Sequence, residues 1–315
     1  MIKPSSLGDI VHALQVMSVV KLRIEDVVID WVVRDCFRSI VEASGIVRKL
    51  FLFKRHGGLS SFIQLIKEIR TEHYDYVFDM QGLARSGIVT FFSKSDKKVG
   101  RFDSRELSWL AYDKRIDFPK IEVPHALDIL FQFLKILNLK IPKHAELEFV
   151  ERPSQAVLDI FKKKNFSKNL ILFFPESRRK EKEWPYFCDL SEALMSDSSE
   201  NVVVVAGQRE FRSRLNCDSF YNLSGKTSLD DVTFLIKNSS VVVANDSAPI
   251  HIAASMKKKI VAIFGPTDPR KFGPYPVDSA RHDILQSADK NISSITVDNV
   301  FNSCLDLLHK DLNLF

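Results

Sequence analysis

The chain has 315 residues, enough for two domains of ordinary size, and its 45% apolar and 27% charged residues strike the balance of a globular protein with buried cores. A net charge of +5 suits an anionic partner such as a nucleotide or a phosphorylated membrane surface. The opening MIKPSSLGDI is no signal peptide, and no apolar run reaches the roughly 20 residues that span a bilayer, so the cytoplasm is the expected compartment.

The elements alternate strand and helix in both halves, which implies α/β architecture with parallel sheets. Only Met1–Lys3 precede the turn Pro4–Asp9, so either the first strand is very short or the natural chain starts upstream. Strands are then expected at Val27–Val33, Leu50–Phe53, Tyr76–Met80 and Lys98–Gly100, with amphipathic helices at Leu59–Arg70 and His125–Leu137. The polar, proline-bounded segment Pro142–Pro153 reads as the approach to a linker. A second series of short apolar runs follows at Asn169–Phe174, Asn201–Ala206, Ser240–Ala244 and Lys259–Phe264, as buried parallel strands read.

Three strand-to-helix turns carry candidate chemistry. In Ser6-Leu7-Gly8-Asp9, Gly8 permits a tight turn and Asp9 stands at a helix start, where it serves either as a cap or as a general base. Between Pro175 and Pro185, Arg178, Arg179, Lys180 and Lys182 put four cations into five positions, which suits a diphosphate or a solvated charged loop. In Ala244–Ala254, Asp246 and Ser247 can cap, Pro249 fits a first helical turn, and His251 lies either beside a phosphate or satisfied in the core. Ser224-Gly225-Lys226-Thr227 is no P-loop, since Phe220 stands where the first glycine is needed, and no GxGxxG occurs.

Two further stretches, Arg48–Arg55 and Lys97–Trp109, mix cations with aromatics, which suits a phosphorylated amphiphile or a solvated face. With no zinc finger, RNA-binding aromatic signature or long basic tail, nucleic acid is not the expected partner. The four cysteines are widely spaced and expected reduced and mostly buried, and the eight histidines contain no HExxH and no i, i+4 pair. No metal is expected.

SLGDIVHAL at the start, Asp79-Met80-Gln81-Gly82, KEWP at Lys182–Pro185, SGKTSLDD at Ser224–Asp231, and NDSAPIHIAAS followed by FGPTDP and FGPY together resemble glycosyltransferase family 9, the heptosyltransferases of lipopolysaccharide core assembly. The opening block is more like heptosyltransferase I than II. The resemblance implies a GT-B fold, two doubly wound parallel-sheet domains facing across a cleft. An acceptor-binding domain would span 1–152 and a nucleotide-sugar domain 153–295, with a C-terminal helix in 296–315 packing back on the first. It implies an inverting, metal-free transfer without cofactor, from ADP-heptose to the Kdo of Kdo-lipid A, at the cytoplasmic face of the inner membrane and in peripheral contact with its anionic surface.

Position by position, the resemblance makes Asp9 the catalytic base and Lys182 the lysine on the donor diphosphate. Asp246, Ser247, Ala248, His251 and Ser177 become donor-binding positions, and Glu210 a contact of the nucleotide ribose. Arg105, Arg101 and Gly8 fall on the acceptor side. Two positions depart from the pattern: Glu176 and Ala248 stand where the family usually has glycine. Glu176 would bring negative charge beside a diphosphate, with Arg178 and Arg179 expected to offset it.

Overall fold

The computed structural model describes residues 1–163 and 169–310. The chain divides into two compact units, Met1–Val150 and Glu151–Phe315, at a boundary inside the Pro142–Pro153 segment.

The first unit comprises α1 (Leu7–Arg23), β1 (Asp30–Arg34), α2 (Arg38–Ala43), β2 (Lys49–Phe53), α3 (Gly58–Ile69), β3 (His73–Asp79), α4 (Ala84–Phe92), β4 (Lys94–Gly100), β5 (Lys114–Arg115) and α5 (Ala126–Ile136). The very short first strand is real in its effect. Ile2 bridges Val32 on one side and Asp79 on the other, both in parallel. The Ile2 N–H donates to Phe78 O at 2.8 Å, the Lys3 N–H to Val32 O at 3.2 Å, and the Met80 N–H to Ile2 O at 3.1 Å. Met1–Lys3 therefore joins the pair β1–β2 to the ribbon β3–β4–β5, giving the order β2, β1, Met1–Lys3, β3, β4, β5. Every pairing in this array is parallel.

The second unit comprises α6 (Gln155–Lys163), β6 (Asn169–Phe174), α7 (Phe187–Asp197), β7 (Asn201–Val205), β8 (Phe220–Asn222), α8 (Leu229–Asn238), β9 (Val241–Asn245), α9 (Ala248–Ser255), β10 (Ile260–Phe264), α10 (Pro269–Phe272), β11 (His282–Gln286) and α11 (Val297–His309). Its six-stranded sheet runs β11, β10, β9, β6, β7, β8. Counted from the first strand of each unit, both arrays have the order 3-2-1-4-5-6. This doubly wound arrangement opens a crevice at the carboxyl ends of strands 1 and 4, where successive crossovers leave in opposite directions.

The core strands were legible because they are apolar on both faces, and β6, β7, β9 and β10 are buried almost throughout. The polar strands were not. β4 begins at Lys94 rather than Lys98, because Lys94, Ser95 and Asp96 alternate toward solvent. β1 starts at Asp30, not Val27: Asp26 takes left-handed φ (56°) just after α1, and Val28 faces solvent. β5, β8 and β11 are short or half-exposed edge strands with no apolar run to mark them. Only Cys304 among the cysteines is buried; Cys36 and Cys217 are exposed and Cys188 is intermediate, against the expectation of mostly buried thiols.

The buried face of helix α11, Val300, Cys304 and Leu307, enters the same cluster as Trp184, Leu190, Val261 and Ile263 in the second unit's core. Residues 311–315 of the expected C-terminal segment lie outside the described residues. Leu307→Ala should cost about 2–4 kcal/mol of unfolding free energy, through lost burial and a residual cavity. Urea denaturation checks this, and a loss below about 0.5 kcal/mol would place Leu307 outside the core.

Candidate active site

In the first unit the crevice position falls between Met1–Lys3 and β3, and the loops leaving both strands hold charged side chains. After Lys3 the chain turns through Pro4–Ser6 into α1. Asp9 is the third residue of that helix, and its Oδ2 accepts from the Ser6 N–H at 3.0 Å and from Ser6 Oγ at 2.6 Å. The capping role weighed for Asp9 is therefore present, with the carboxylate fixed at the mouth of the first unit's crevice.

After β3 the buried Asp79 organises the second loop. Its Oδ1 accepts from the Gln81 and Gly82 N–H groups at 2.9 and 3.0 Å, and its Oδ2 accepts from the Tyr112 hydroxyl at 2.7 Å. Burial pushes the Asp79 carboxyl above its ordinary range, against the pull of those donors. Gly82 has φ of +70°, and a Cβ there would meet Ser104 Cα at 3.3 Å and Arg101 Cδ at 3.4 Å. This turn is closed on the Arg101–Arg105 loop, and the Arg105 N–H donates to Gly82 O at 2.9 Å.

Two cations, the buried Lys3 and the half-buried Arg101, flank this site. Lys3 donates to Met80 O at 3.2 Å; burial pulls its ammonium below the ordinary value, while the charges of Asp9, Asp79 and Asp103 oppose that fall. Arg101 grips Asp103 with two hydrogen bonds of 2.8 and 2.7 Å, and its side chain is only 18% exposed. Burial opposes its charge, but the Asp103 pairing and the field of Asp9 outweigh that and hold it above its usual value. Arg101 thus turns inward and pairs within its own loop, unlike a plainly solvated cation. Arg48, in the other cation–aromatic stretch, pairs with the buried Asp30 at 2.5 Å. Arg105 is exposed at the loop tip.

In the second unit the crevice lies between β6 and β9. Lys182 donates to Asp246 Oδ2 at 2.5 Å, with the two side chains 15% and 8% exposed. Thr267 Oγ1 donates to the same oxygen at 2.5 Å, and Ser177 Oγ donates to Asp246 O at 3.1 Å. Asn245 ties the two strand ends together, accepting from the Trp184 N–H and donating to Pro175 O. Ser247 and Ala248 open α9, with Pro249 in its first turn and His251 half-buried just beyond. Ala248 is not among the residues of positive φ, so glycine is not required there for its N–H to face the crevice mouth.

Glu176, the departure that seemed hostile to a diphosphate, has a structural task. Its carboxylate accepts from the Gln208 and Arg209 N–H groups at 2.6 and 2.8 Å and ion-pairs with Arg209 at 3.5 Å. It caps the turn after β7, where Gly207 has φ of +146° and a Cβ would lie 2.8 Å from Glu176 Oε1. Arg209 pairs in addition with Glu183 and donates to Ser177 O at 2.6 Å. The offset to Glu176 therefore comes from Arg209 rather than from Arg178 or Arg179; Arg179 pairs with Glu181 instead. Glu210 is exposed beyond this turn, with its backbone alongside Gly225.

The structure thus gathers Asp9, Gly8 and Arg101 in one unit and Lys182, Asp246, Ser177 and Ser247 in the other. Sequence reasoning missed Lys3, Asp79, Asp103, Asn245, Arg209 and Thr267 as members of these networks. Asp79, Asn245 and Thr267 carried a signal, through the Asp79–Gly82 block, NDSAPIHIAAS and the FGPTDP loop. Among the described residues no three His, Cys, Asp or Glu side chains converge as a metal set would.

The pattern of glycosyltransferase family 9 (heptosyltransferase) matches residues 62–293. The lipopolysaccharide core heptosyltransferase OpsX of Haemophilus influenzae is 25% identical, covering 86% of this chain and 80% of its own length. Lipopolysaccharide heptosyltransferase 1 of Escherichia coli K12 is 25% identical over 87% of this chain and 89% of its own. Lipooligosaccharide heptosyltransferase 2 of H. influenzae is 28% identical over 85% and 83%. The structure of the E. coli heptosyltransferase WaaC with ADP superposes with a TM-score of 0.79 at 20% identity, over 97% of this chain and 98% of that one, a likeness that shows the shared GT-B fold.

Glu176→Gln removes the charge that holds the Gly207–Arg209 turn but keeps its shape. Amide hydrogen exchange at Gln208 and Arg209 should speed by about tenfold, the equivalent of one charged hydrogen bond weakened. Unchanged protection there would mean that the turn holds itself.

Proposed function

Because the chain belongs to glycosyltransferase family 9, we propose that it is an inverting heptosyltransferase of lipopolysaccharide core assembly, moving heptose from ADP-L-glycero-D-manno-heptose to a Kdo residue of Kdo-lipid A. The observation that carries this reading is a pair of polar sites at the two crevice positions: a fixed carboxylate, Asp9, in one unit, and the Lys182–Asp246 pair beneath a helix N-terminus in the other.

In this mechanism the bond between the anomeric carbon and the diphosphate oxygen breaks, and its electron pair leaves with ADP. The acceptor hydroxyl forms the new bond on the opposite face and gives its proton to Asp9. Lys182, held ready by Asp246, turns its ammonium to the negative charge growing on the leaving diphosphate, and the backbone N–H groups that open α9 add to it. Asp246 is a positioning residue in this account, with Thr267 and Ser177 fixing it in turn. These protein cations and dipoles take the place of a metal, and we assign none to the reaction.

The heptosyltransferase 1 assignment rests on the opening block and on relatives of that type. The 28% identity to a heptosyltransferase 2 favours a second reading, in which the acceptor already bears a heptose. ADP release distinguishes them. Release with Kdo-lipid A supports the first, and release only with the heptosylated acceptor supports the second. Donor binding with neither would leave a non-catalytic nucleotide-sugar-binding homologue. The acceptor is a lipid, and among the described residues no helix is long and apolar enough to cross a membrane. We therefore place the enzyme peripherally on the cytoplasmic face of the inner membrane.

Asp9→Asn keeps a side chain able to cap α1 but a poor proton acceptor. It should leave donor affinity unchanged and lower turnover by about a hundredfold or more. Turnover within about threefold of the parent would reduce Asp9 to a helix cap. Lys182→Ala should slow transfer by about 10- to 100-fold, the worth of a charged hydrogen bond to phosphate. It also strands Asp246 without its cation, so Lys182→Arg, which keeps the charge, should recover part of the rate. Equal rates in parent and alanine variant would make the loop a solvated charge run.

A further inference from the structure

We infer that the surface formed by α4 and the short helical turn Ser108–Ala111 is the part of the chain that enters the bilayer interface. The idea rests on the lipid-acceptor reading above and adds the place of contact. Six of the sixteen exposed large apolar side chains among the described residues gather here: Ile88, Phe91 and Phe92 from α4, and Leu107, Trp109 and Leu110 from the turn. Phe91 is 59% and Leu110 64% exposed. The two elements form one continuous surface, because Gly87 lets α4 approach Ser108 so closely that a Cβ would stand 2.8 Å from Ser108 Cβ. The Glu106 carboxylate fastens the turn to the Ala84 N–H at 2.9 Å, at the start of α4.

The chemistry of the rim selects the occupant. Lys98 donates to Phe91 O at 2.8 Å and lies 5.7 Å from the Phe91 ring, and Arg70 donates to Phe92 O at 3.0 Å. Both cations are held at the end of α4 by its last carbonyls, so they frame the apolar patch. Arg85, in the first turn of α4, and Arg105, just before the turn, are exposed as well. An apolar patch rimmed by cations matches the interface of an anionic bilayer, where apolar side chains reach the acyl boundary and ammonium and guanidinium groups meet phosphates. Leu107 is displayed at a cost, since Glu106 and Leu107 both adopt left-handed φ, 55° and 59°, a conformation that side chains of their size avoid. The patch is continuous with the Arg101–Arg105 loop that closes on the Asp9 site, so a lipid acceptor held there would keep its acyl chains in the same membrane.

The chain carries its own reporter. Of its three tryptophans, Trp31 and Trp184 are buried, and Trp109 is 46% exposed. Adding phosphatidylethanolamine–phosphatidylglycerol vesicles to the full chain, without donor or acceptor, should shift Trp109 emission to the blue and allow brominated lipids to quench it. Phe91→Ser with Leu110→Ser, both at exposed positions, should weaken partitioning by about tenfold or more, with an unchanged circular dichroism spectrum and ADP affinity. High salt should weaken the parent's binding, and neutral phosphatidylcholine vesicles should bind it less. No blue shift, or equal partitioning by parent and variant, would overturn the inference. So would a blue shift that rises with protein concentration in the absence of lipid, because the patch would then be an interface between copies of the chain. The assay needs no sugar transfer, so its failure is separate from failure to release ADP.

Discussion

Everything at the candidate site depends on the reversal of strand order in each parallel sheet. In both units the first strand lies beside the fourth, and the crossovers on either side leave to opposite faces. Two loops then diverge from adjacent carboxyl ends and open a crevice between them. In the first unit three residues create that reversal. The segment Met1–Lys3, hydrogen-bonded through Ile2 to β3 and through Met1 and Lys3 to β1, joins what would otherwise be two separate ribbons. The charged residues nearby have roles only because that short strand aligns the Pro4–Asp9 turn beside the Met80–Leu83 turn.

Charge at these two positions is arranged in opposite ways. The first unit surrounds Asp9 with cations that are themselves tied down, Lys3 to a carbonyl and Arg101 to Asp103. The second unit presents a cation, Lys182, and ties it to a buried carboxylate. In the transfer proposed above, the Asp9 carboxylate would accept the proton and the Lys182 cation would meet the leaving diphosphate, the two functions that a displacement at an anomeric carbon requires. Holding the groups before substrate arrives avoids reorganisation during the reaction. Glu176 shows that a negative residue in this setting need not oppose the chemistry. Two backbone N–H groups and Arg209 absorb its charge, and the turn that carries them is shaped by it.

The fold was largely legible where burial is two-sided. Strands such as Asn169–Phe174 are continuous apolar runs, and helices such as Ala126–Ile136 show their apolar stripe. It was illegible where a strand is paired but wet, as at Lys94–Asp96, or where two residues suffice, as at Lys114–Arg115. The site divides along the same line. Asp9, Lys182 and Asp246 stand at turns between a strand and a helix, where glycine, proline and capping residues mark the place. Lys3, Asp79 and Thr267 act through contacts distant in sequence, Asp79 with Tyr112 and Thr267 with Asp246, and no local pattern announces those. Arg101 reads as a surface cation because composition cannot say which way a side chain turns.

The account's central claim is a single displacement, with Asp9 drawing the acceptor proton on the face opposite the departing diphosphate. The most direct test is the anomeric configuration of the heptose in the product, read from its one-bond carbon–proton coupling by nuclear magnetic resonance and compared with that of the ADP-heptose donor. Inversion in every product molecule is the expected result. Retention would require a second displacement and a nucleophile that this arrangement does not assign, and would contradict the account.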